Sequence, residues 1–117
     1  MCSSIMENEL QKKEKFAELL LIYGKLLTKN IYHRMEMFYL EDYSITEISE
    51  LEKVSRNAIF ESLSHGEKQL SKYENNLHIG KKNGKITVLL DELANQEDSK
   101  KRLEIIEEIK GELGYGI

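Results

Sequence analysis

The chain has 117 residues, a length that fits one domain because single domains cluster near ~100–150 residues. This size argues against a two-domain enzyme. The single cysteine, Cys2, excludes an internal disulfide framework, and the N-terminal residues contain no hydrophobic run of signal-peptide length. The longest uninterrupted apolar run is five residues, far below the ~18–20 residues that cross a bilayer. We therefore expect a cytoplasmic protein without membrane insertion.

The formal net charge of −4 is distributed unevenly along the chain. Residues 1–90 carry thirteen acidic and thirteen basic side chains, whereas residues 91–117 carry eight acidic and four basic ones. A protein that neutralises many phosphates by bulk electrostatics has a strongly basic surface. Any binding of nucleic acid is therefore expected to depend on a local patch of cations.

Helical periodicity extends over most of the sequence, and no proline interrupts it. The apolar spacing predicts a first helix from Glu9 to Leu27. A second helix, which Thr28 can cap, is predicted to end near Leu40. Residues 41–43 then indicate a turn before the next helical pattern begins.

Residues 44–77 carry the sharpest local signal, a short helix followed by a tight turn and a longer helix. The run Ser44-Ile45-Thr46-Glu47 is a capping box, in which the serine hydroxyl and the glutamate carboxylate each accept a backbone N–H. It predicts a helix that ends near Glu52, and Ser55 is the N-cap candidate of a second helix that continues to Leu77. This order is typical of a helix-turn-helix. Five apolar residues are expected to clasp the two helices together: Ile48, Leu51, Val54, Ile59 and Leu63.

The outward side of this unit supplies the candidate contacts to nucleic acid. Ser55 can donate to a phosphate, Asn57 can read a base edge, and Phe60 can stack on a base or pack. Arg56 and Lys68 supply positive charge. The predicted nucleic-acid-binding residues are Lys53, Ser55, Arg56, Asn57, Phe60, Ser64 and Lys68. From periodicity alone, two helices that pack only for stability explain the same pattern equally well.

The sequence of this unit resembles the region-4 helix-turn-helix of sigma factors. More closely, residues 42–50 (Asp-Tyr-Ser-Ile-Thr-Glu-Ile-Ser-Glu) and 54–60 (Val-Ser-Arg-Asn-Ala-Ile-Phe) resemble the YlxM family, small helical bacterial proteins associated with the signal recognition particle. The resemblance includes residues 16–27, 37–43 and 72–78 and covers roughly residues 10–115. It implies an all-α fold with a sigma-region-4-like unit, nucleic-acid binding, and a regulatory part in the signal recognition particle pathway.

Two features depart from the family pattern. Lys53 occupies the turn position before Val54 where the family often has glycine, so it must tolerate the turn geometry or change it. Residues 42–72 also contain six acidic and four basic side chains, and Glu61 lies on the predicted recognition face. Tight duplex binding is not expected from this balance, because phosphate contacts supply much of such affinity. A structured RNA or a protein surface fits the charges at least as well.

The remainder of the chain predicts a connector at 78–84 and C-terminal helices within 85–113, one from Ile86 to Ala94 and one from Ser99 to Leu113. With the helical core at 9–77, these segments are expected to form a single domain, 1–117. Their apolar stripes can pack on the first helix or form a homodimer. Two smaller basic groups are candidates for phosphate contact or for plain solvation: the secondary patch Lys81, Lys82 and Lys85, and the pair His33 and Arg34.

The sequence offers little catalytic or cofactor chemistry. His33, His65 and His78 are too scattered to predict a metal site, and Cys2 has no ligand partner at a suitable spacing. No glycine-rich phosphate loop or nucleophile arrangement occurs. We therefore predict a non-enzymatic regulator without a cofactor, which binds RNA or DNA, components of the signal recognition particle, or both. The alternatives are a protein-interaction module that binds a targeting GTPase and a DNA-binding transcriptional regulator.

Overall fold

A computed structural model describes the backbone of residues 2–114 and the side chains of residues 8–114. Helices account for nearly all of these residues and no strand occurs among them, which confirms the predicted all-α fold. A 3-10 turn at Gly24–Leu26 and a π-helical turn at Glu36–Leu40 follow the first two helices. The helices are α1 (Cys2–Tyr23), α2 (Lys29–Met35), α3 (Ile45–Glu52), α4 (Arg56–Leu77), α5 (Ile79–Asn95) and α6 (Ser99–Leu113). The chain divides into two compact units, residues 1–77 and residues 78–117.

The first unit contains one apolar core to which all four of its helices contribute. Its largest fully buried side chains are Leu20 and Tyr23 from α1, Met35 from α2, Ile48 from α3, and Ile59 and Leu70 from α4. The absence of a side chain at Gly66 lets α2 and α4 pack closely, because a Cβ there would overlap Met35 Sδ.

The first helix ends earlier than the apolar pattern predicts. α1 ends at Tyr23, and a Cβ on Gly24 would lie only 2.7 Å from Tyr32 Cε2, so the glycine leaves room for that ring. Leu27 is extended, with φ −84° and ψ 159°. Thr28 is the N-cap residue of α2 as predicted, but its side chain forms no capping hydrogen bond.

The predicted helix-turn-helix is present, as α3, a short turn and α4. Ser44 Oγ accepts the Glu47 N–H at 3.0 Å and Glu47 Oε1 accepts the Ser44 N–H at 3.1 Å, which confirms the capping box. Ser55 Oγ accepts the Ala58 N–H at 3.0 Å and caps α4. Lys53 adopts the left-handed conformation, with φ 58° and ψ 42°. Lys53 therefore takes up the left-handed conformation that glycine adopts most readily.

The apolar clasp is smaller than predicted. Ile48, Ile59 and Leu63 are buried between α3 and α4 as expected. Leu51 is 63% exposed, however, and Val54 is exposed as well. The prediction was wrong for these two residues because α3 packs against α4 and the π-helical turn at Glu36–Leu40 on the side that carries Ile48, which leaves Leu51 and the turn residue Val54 facing solvent.

The second unit is a hairpin of α5 and α6. The predicted connector at 78–84 is wrong, because α5 already begins at Ile79. His78 alone makes the break from α4, with a left-handed φ of 56°. α6 begins at Ser99 as predicted, and Asp98 caps it: the Asp98 carboxylate accepts the backbone N–H groups of residues 100 and 101 at 2.9 and 3.4 Å. That the two units form a single domain stays a prediction.

Candidate nucleic-acid interface

The exposed side of α4 carries most of the predicted contacts to nucleic acid. Four of them recur every three or four residues and share one side of the helix: Asn57, Phe60, Ser64 and Lys68. Ile59, Leu63 and Leu70 are buried on the opposite side. Phe60 is 58% exposed, so its ring remains available to a ligand. The structure therefore brings these predicted residues together, while their role in binding stays a prediction.

The three remaining predicted residues lie where the turn meets α4. Lys53 is in the turn itself, Ser55 is the cap, and Arg56 is the first residue of the helix. All three are exposed. The Ser55 hydroxyl oxygen accepts a backbone N–H, yet its own hydrogen can still be donated to a phosphate.

The same side of α4 continues further than the sequence predicted. Lys68 is followed by Ser71, Lys72 and Asn75, which line an open depression of about 500 Å³ together with Asn76, Glu67 and Phe16. The helical spacing of three and four from Lys68 could have identified these residues, because polar side chains continue at the positions that face away from the core. Together with the predicted residues they form the exposed α4 face, defined as Lys53, Ser55, Arg56, Asn57, Phe60, Ser64, Lys68, Ser71, Lys72 and Asn75.

Three of the six acidic side chains in residues 42–72 are paired with cations from outside this segment: Asp42, Glu52 and Glu67. Lys13 Nζ lies 3.1 Å from Asp42 Oδ1, and Lys12 Nζ lies 3.5 Å from Glu67 Oε2. Four cations of the unit form no ion pair within the described side chains: Lys53, Arg56, Lys68 and Lys72. Cations of α1 and α2 therefore offset the excess of acidic over basic side chains in residues 42–72. In the described part of the chain, the charges without an ion-pair partner on the exposed α4 face are positive.

Arg34 joins three helices and is not part of a free basic patch. Its Nε donates to both carboxylate oxygens of Glu52, at 3.2 and 3.1 Å, and its Nη1 donates to Ser62 Oγ at 2.6 Å. The side chain of Arg34 is only 16% exposed. The prediction of a His33 and Arg34 patch is wrong for Arg34, because its charge is used between α2, α3 and α4.

A groove separates the start of α1 from α4 and has a volume of about 400 Å³. We call it the α1–α4 groove; it is lined by Glu9, Lys12, Lys13, Phe38, Tyr39, Ile45, Phe60, Leu63, Ser64 and Glu67. Phe60 and Ser64 belong to both the groove and the exposed α4 face, so the two features are continuous. Lys12 and Lys13 were not predicted as site residues, because only the folded chain brings α1 beside α4.

Two polar side chains inside the groove, Tyr39 and Glu67, are hydrogen-bonded to each other. The Tyr39 hydroxyl donates to Glu67 Oε1. Burial and this carboxylate together raise the pKa of Tyr39, so the phenol stays protonated and keeps its role as a donor. On the outer edge of α4, Asn57 Nδ2 donates to Glu61 Oε1 at 3.3 Å, which leaves the amide oxygen of Asn57 available to a ligand.

The secondary basic patch lies on a helix and not in a loop. Lys81, Lys82 and Lys85 are exposed residues of the first two turns of α5. Lys85 Nζ lies 3.5 Å from Glu112 Oε1 of α6. The Lys85 charge is thus paired within the hairpin, and contact of this patch with phosphate stays a prediction.

Two other features, a membrane-spanning helix and a group of metal ligands, are not found among the described residues. No helix within residues 2–114 is both long and apolar enough to cross a membrane. No group of three or more histidine, cysteine, aspartate or glutamate side chains among the described residues is placed to hold a metal ion.

A capped short helix, a left-handed turn residue and a long helix with an exposed polar and cationic side define a helix-turn-helix protein. A family model described as "Putative helix-turn-helix protein, YlxM / p13 like" matches residues 10–110. The chain belongs to this family, UPF0122, as the resemblance to YlxM predicted.

Individual members of the family are similar in sequence to this chain over most of its length. A UPF0122 protein of Oceanobacillus iheyensis is 39% identical over 101 residues, which are 86% of this chain and 96% of the relative. One from Thermoanaerobacter sp. is 37% identical over 98 residues, 78% of this chain and 84% of the relative. One from Clostridium perfringens is 33% identical over 101 residues, 86% of this chain and 88% of the relative.

Proposed function

We propose that the chain is a non-enzymatic regulatory protein that binds nucleic acid through the exposed α4 face. The observation that carries the proposal is the group of four cations without an ion-pair partner among the described side chains, placed around Asn57, Phe60 and Ser64 on a helix-turn-helix. Exposed cations of this kind bind phosphates, and the polar and aromatic side chains between them can contact bases. Membership of a helix-turn-helix family supports the same conclusion.

We favour RNA as the target, in particular the RNA of the signal recognition particle. The association with that particle rests on the resemblance to the YlxM family. The preference for RNA rests on charge: the acidic Glu61 is exposed beside the α4 face, and four cations without an ion-pair partner within residues 8–114 are few for a protein that holds a duplex mainly by its phosphates. RNA offers unpaired bases and distinctive shape, which require fewer phosphate contacts.

The test is a fluorescence anisotropy titration of the full-length chain against signal recognition particle RNA over a series of salt concentrations. Arg56→Glu should weaken binding and lower the salt slope by about 1, because a phosphate contact is lost. Lys25→Glu is the matched control, since Lys25 is exposed outside the α4 face and the charge change is the same. Equal affinities for the wild type and Arg56→Glu would overturn the nucleic-acid assignment.

The alternative functions give different results in parallel experiments. A protein-interaction module would still capture the purified protein component of the particle after ribonuclease treatment, and Arg56→Glu would leave RNA binding unchanged. A transcriptional regulator would retard duplex DNA at ~0.15 M salt with a clear sequence preference. Weak, salt-sensitive retardation of any DNA would count against that regulator.

We also propose that the chain forms a homodimer through the hairpin of α5 and α6. Among the described residues of this unit, only Ile105 is buried. Large apolar side chains remain exposed on it: Ile79, Val88, Leu90, Leu103 and Leu113. A second copy would offer the same apolar surface across a symmetry axis. Sedimentation equilibrium of the full-length chain should then give twice the monomer mass.

A further inference from the structure

The α1–α4 groove combines an exposed aromatic ring with cations and hydrogen-bonding groups. The Phe60 ring is 58% exposed, although apolar neighbours at Phe38, Ile45 and Leu63 also line the groove. A solvent-facing ring beside an open apolar groove offers a flat surface on which another ring can stack. The volume of about 400 Å³ falls within the ~300–1,000 Å³ typical of small-molecule sites.

The rim of the groove provides positive charge that can be shared with a ligand. Lys12 pairs with Glu67 and Lys13 with Asp42, but Lys12 and Asp42 are largely exposed, with side-chain exposures of 61% and 84%. Each pair therefore has one partner open to water, although Glu67 and Lys13 are only 22% and 33% exposed, and a phosphate can compete with the carboxylates for the ammonium groups. Ser64 and the Glu67 carboxylate add a hydroxyl and an acceptor for the edge of a base.

Stacking on Phe60 in the groove requires an unpaired base. In a duplex each base is stacked between its neighbours and shows only an edge, so its flat face cannot reach the Phe60 ring. An unpaired nucleotide in a loop or bulge can turn outward, and RNA-binding proteins commonly stack such bases on aromatic side chains. The groove is continuous with Ser64 on the exposed α4 face, so one strand can contact both.

We propose that the α1–α4 groove binds one unpaired nucleobase of an RNA, stacked on Phe60, with Lys12 and Lys13 contacting the adjacent phosphates. This inference rests on the proposed nucleic-acid binding and specifies which structural class of RNA is recognised. In this arrangement the exposed α4 face binds the sugar-phosphate backbone of the RNA, and the groove distinguishes an RNA with an unpaired base from a continuous duplex.

The first experiment compares two fluorescent RNA probes, a blunt duplex and the same duplex with one bulged uridine. The full-length chain should bind the bulged probe at least about fivefold more tightly, since stacking of one base on an aromatic side chain contributes ~1–3 kcal/mol. Phe60→Leu should remove this difference because it keeps an apolar side chain but loses the ring. Phe60→Tyr should retain it. Tyr43→Leu is the matched control, since Tyr43 is an exposed aromatic outside the groove.

The second experiment locates the base. 5-Iodouridine at the bulged position, irradiated in the complex, should crosslink to Phe60, which lies in the tryptic peptide of residues 57–68 and is the only phenylalanine there. Crosslinking confined to other peptides would overturn the inference.

The outcomes separate the inference from the proposed function. Equal affinity for both probes, with Arg56→Glu weakening each, would overturn base binding in the groove and leave nucleic-acid binding intact. Preference for the blunt duplex, or a bulge preference that survives in Phe60→Leu, would likewise overturn the inference. Failure to bind either probe or the particle RNA would overturn both proposals.

Discussion

Lys53 occupies a backbone conformation that costs an L-amino acid free energy. Its left-handed φ of 58° ends α3, and the Val54 N–H then donates to Ser49 O at 3.1 Å. Only glycine adopts this conformation without a steric penalty. Lys53→Gly should therefore raise the free energy of unfolding by about 0.5–1 kcal/mol, measured as a higher midpoint in urea.

The control for this change is Lys53→Ala. Alanine also removes the lysine side chain but keeps the steric penalty of the left-handed backbone, so its midpoint should stay close to that of the wild type. If the glycine and alanine variants unfold at the same urea concentration, the left-handed turn is not a source of strain.

At the scale of elements, the packing of α2 against α4 depends on Gly66. Gly66→Ala improves helix propensity but places a methyl group against Met35 and Ile31, so we expect the free energy of unfolding to fall by about 1–3 kcal/mol. Gly84→Ala is the matched helical control, because nothing lies within 4 Å of a Cβ there. It should be neutral or stabilising by up to ~1 kcal/mol. Thermal unfolding followed by circular dichroism compares the two; equal stabilisation would contradict the close approach.

The sequence predicted those elements whose signals are local. The capping box at Ser44 and the cap at Ser55 depend on residues three apart in the chain, so their pattern was sufficient to place α3 and α4. The pairing of Arg34 with Glu52 joins residues eighteen apart, and only packing brings them together. The same holds for Lys12, whose place in the α1–α4 groove depends on α1 lying beside α4.

The C-terminal hairpin shows the limit of reading helix breaks from composition. Glycine and lysine residues after His78 predicted a loop, yet they continue α5 because nothing in that stretch prevents a helix. One left-handed residue was enough to separate α4 from α5. Glycine lowers helix propensity by only ~1 kcal/mol, which packing against a neighbouring helix readily offsets.

For the whole molecule, the distribution of buried side chains predicts that residues 1–77 can fold alone and that residues 78–117 cannot. Every member of the main apolar cluster lies within residues 16–70. A truncated chain of residues 1–77 should therefore unfold cooperatively and bind RNA with an affinity close to that of the full-length chain. Residues 78–117 alone should show little helix by circular dichroism at low concentration, because so small a hairpin cannot bury a core.

The comparison of the three chains also tests where the binding residues lie. If the truncated chain folds but loses RNA binding, then Lys81, Lys82 and their neighbours contribute more than the exposed α4 face. If it does not fold, the apolar cluster of the first unit is insufficient by itself.

The Arg34 network has a further consequence for recognition. Because one guanidinium is shared by Glu52 on α3 and Ser62 on α4, the angle between these helices is set before any ligand arrives. A surface that is already ordered loses little conformational entropy on association. Such a surface presents the same geometry to every candidate target and cannot reshape itself around a poor one. Selectivity then depends on how well a ligand fits this preordered surface, and binding to many different ligands is disfavoured.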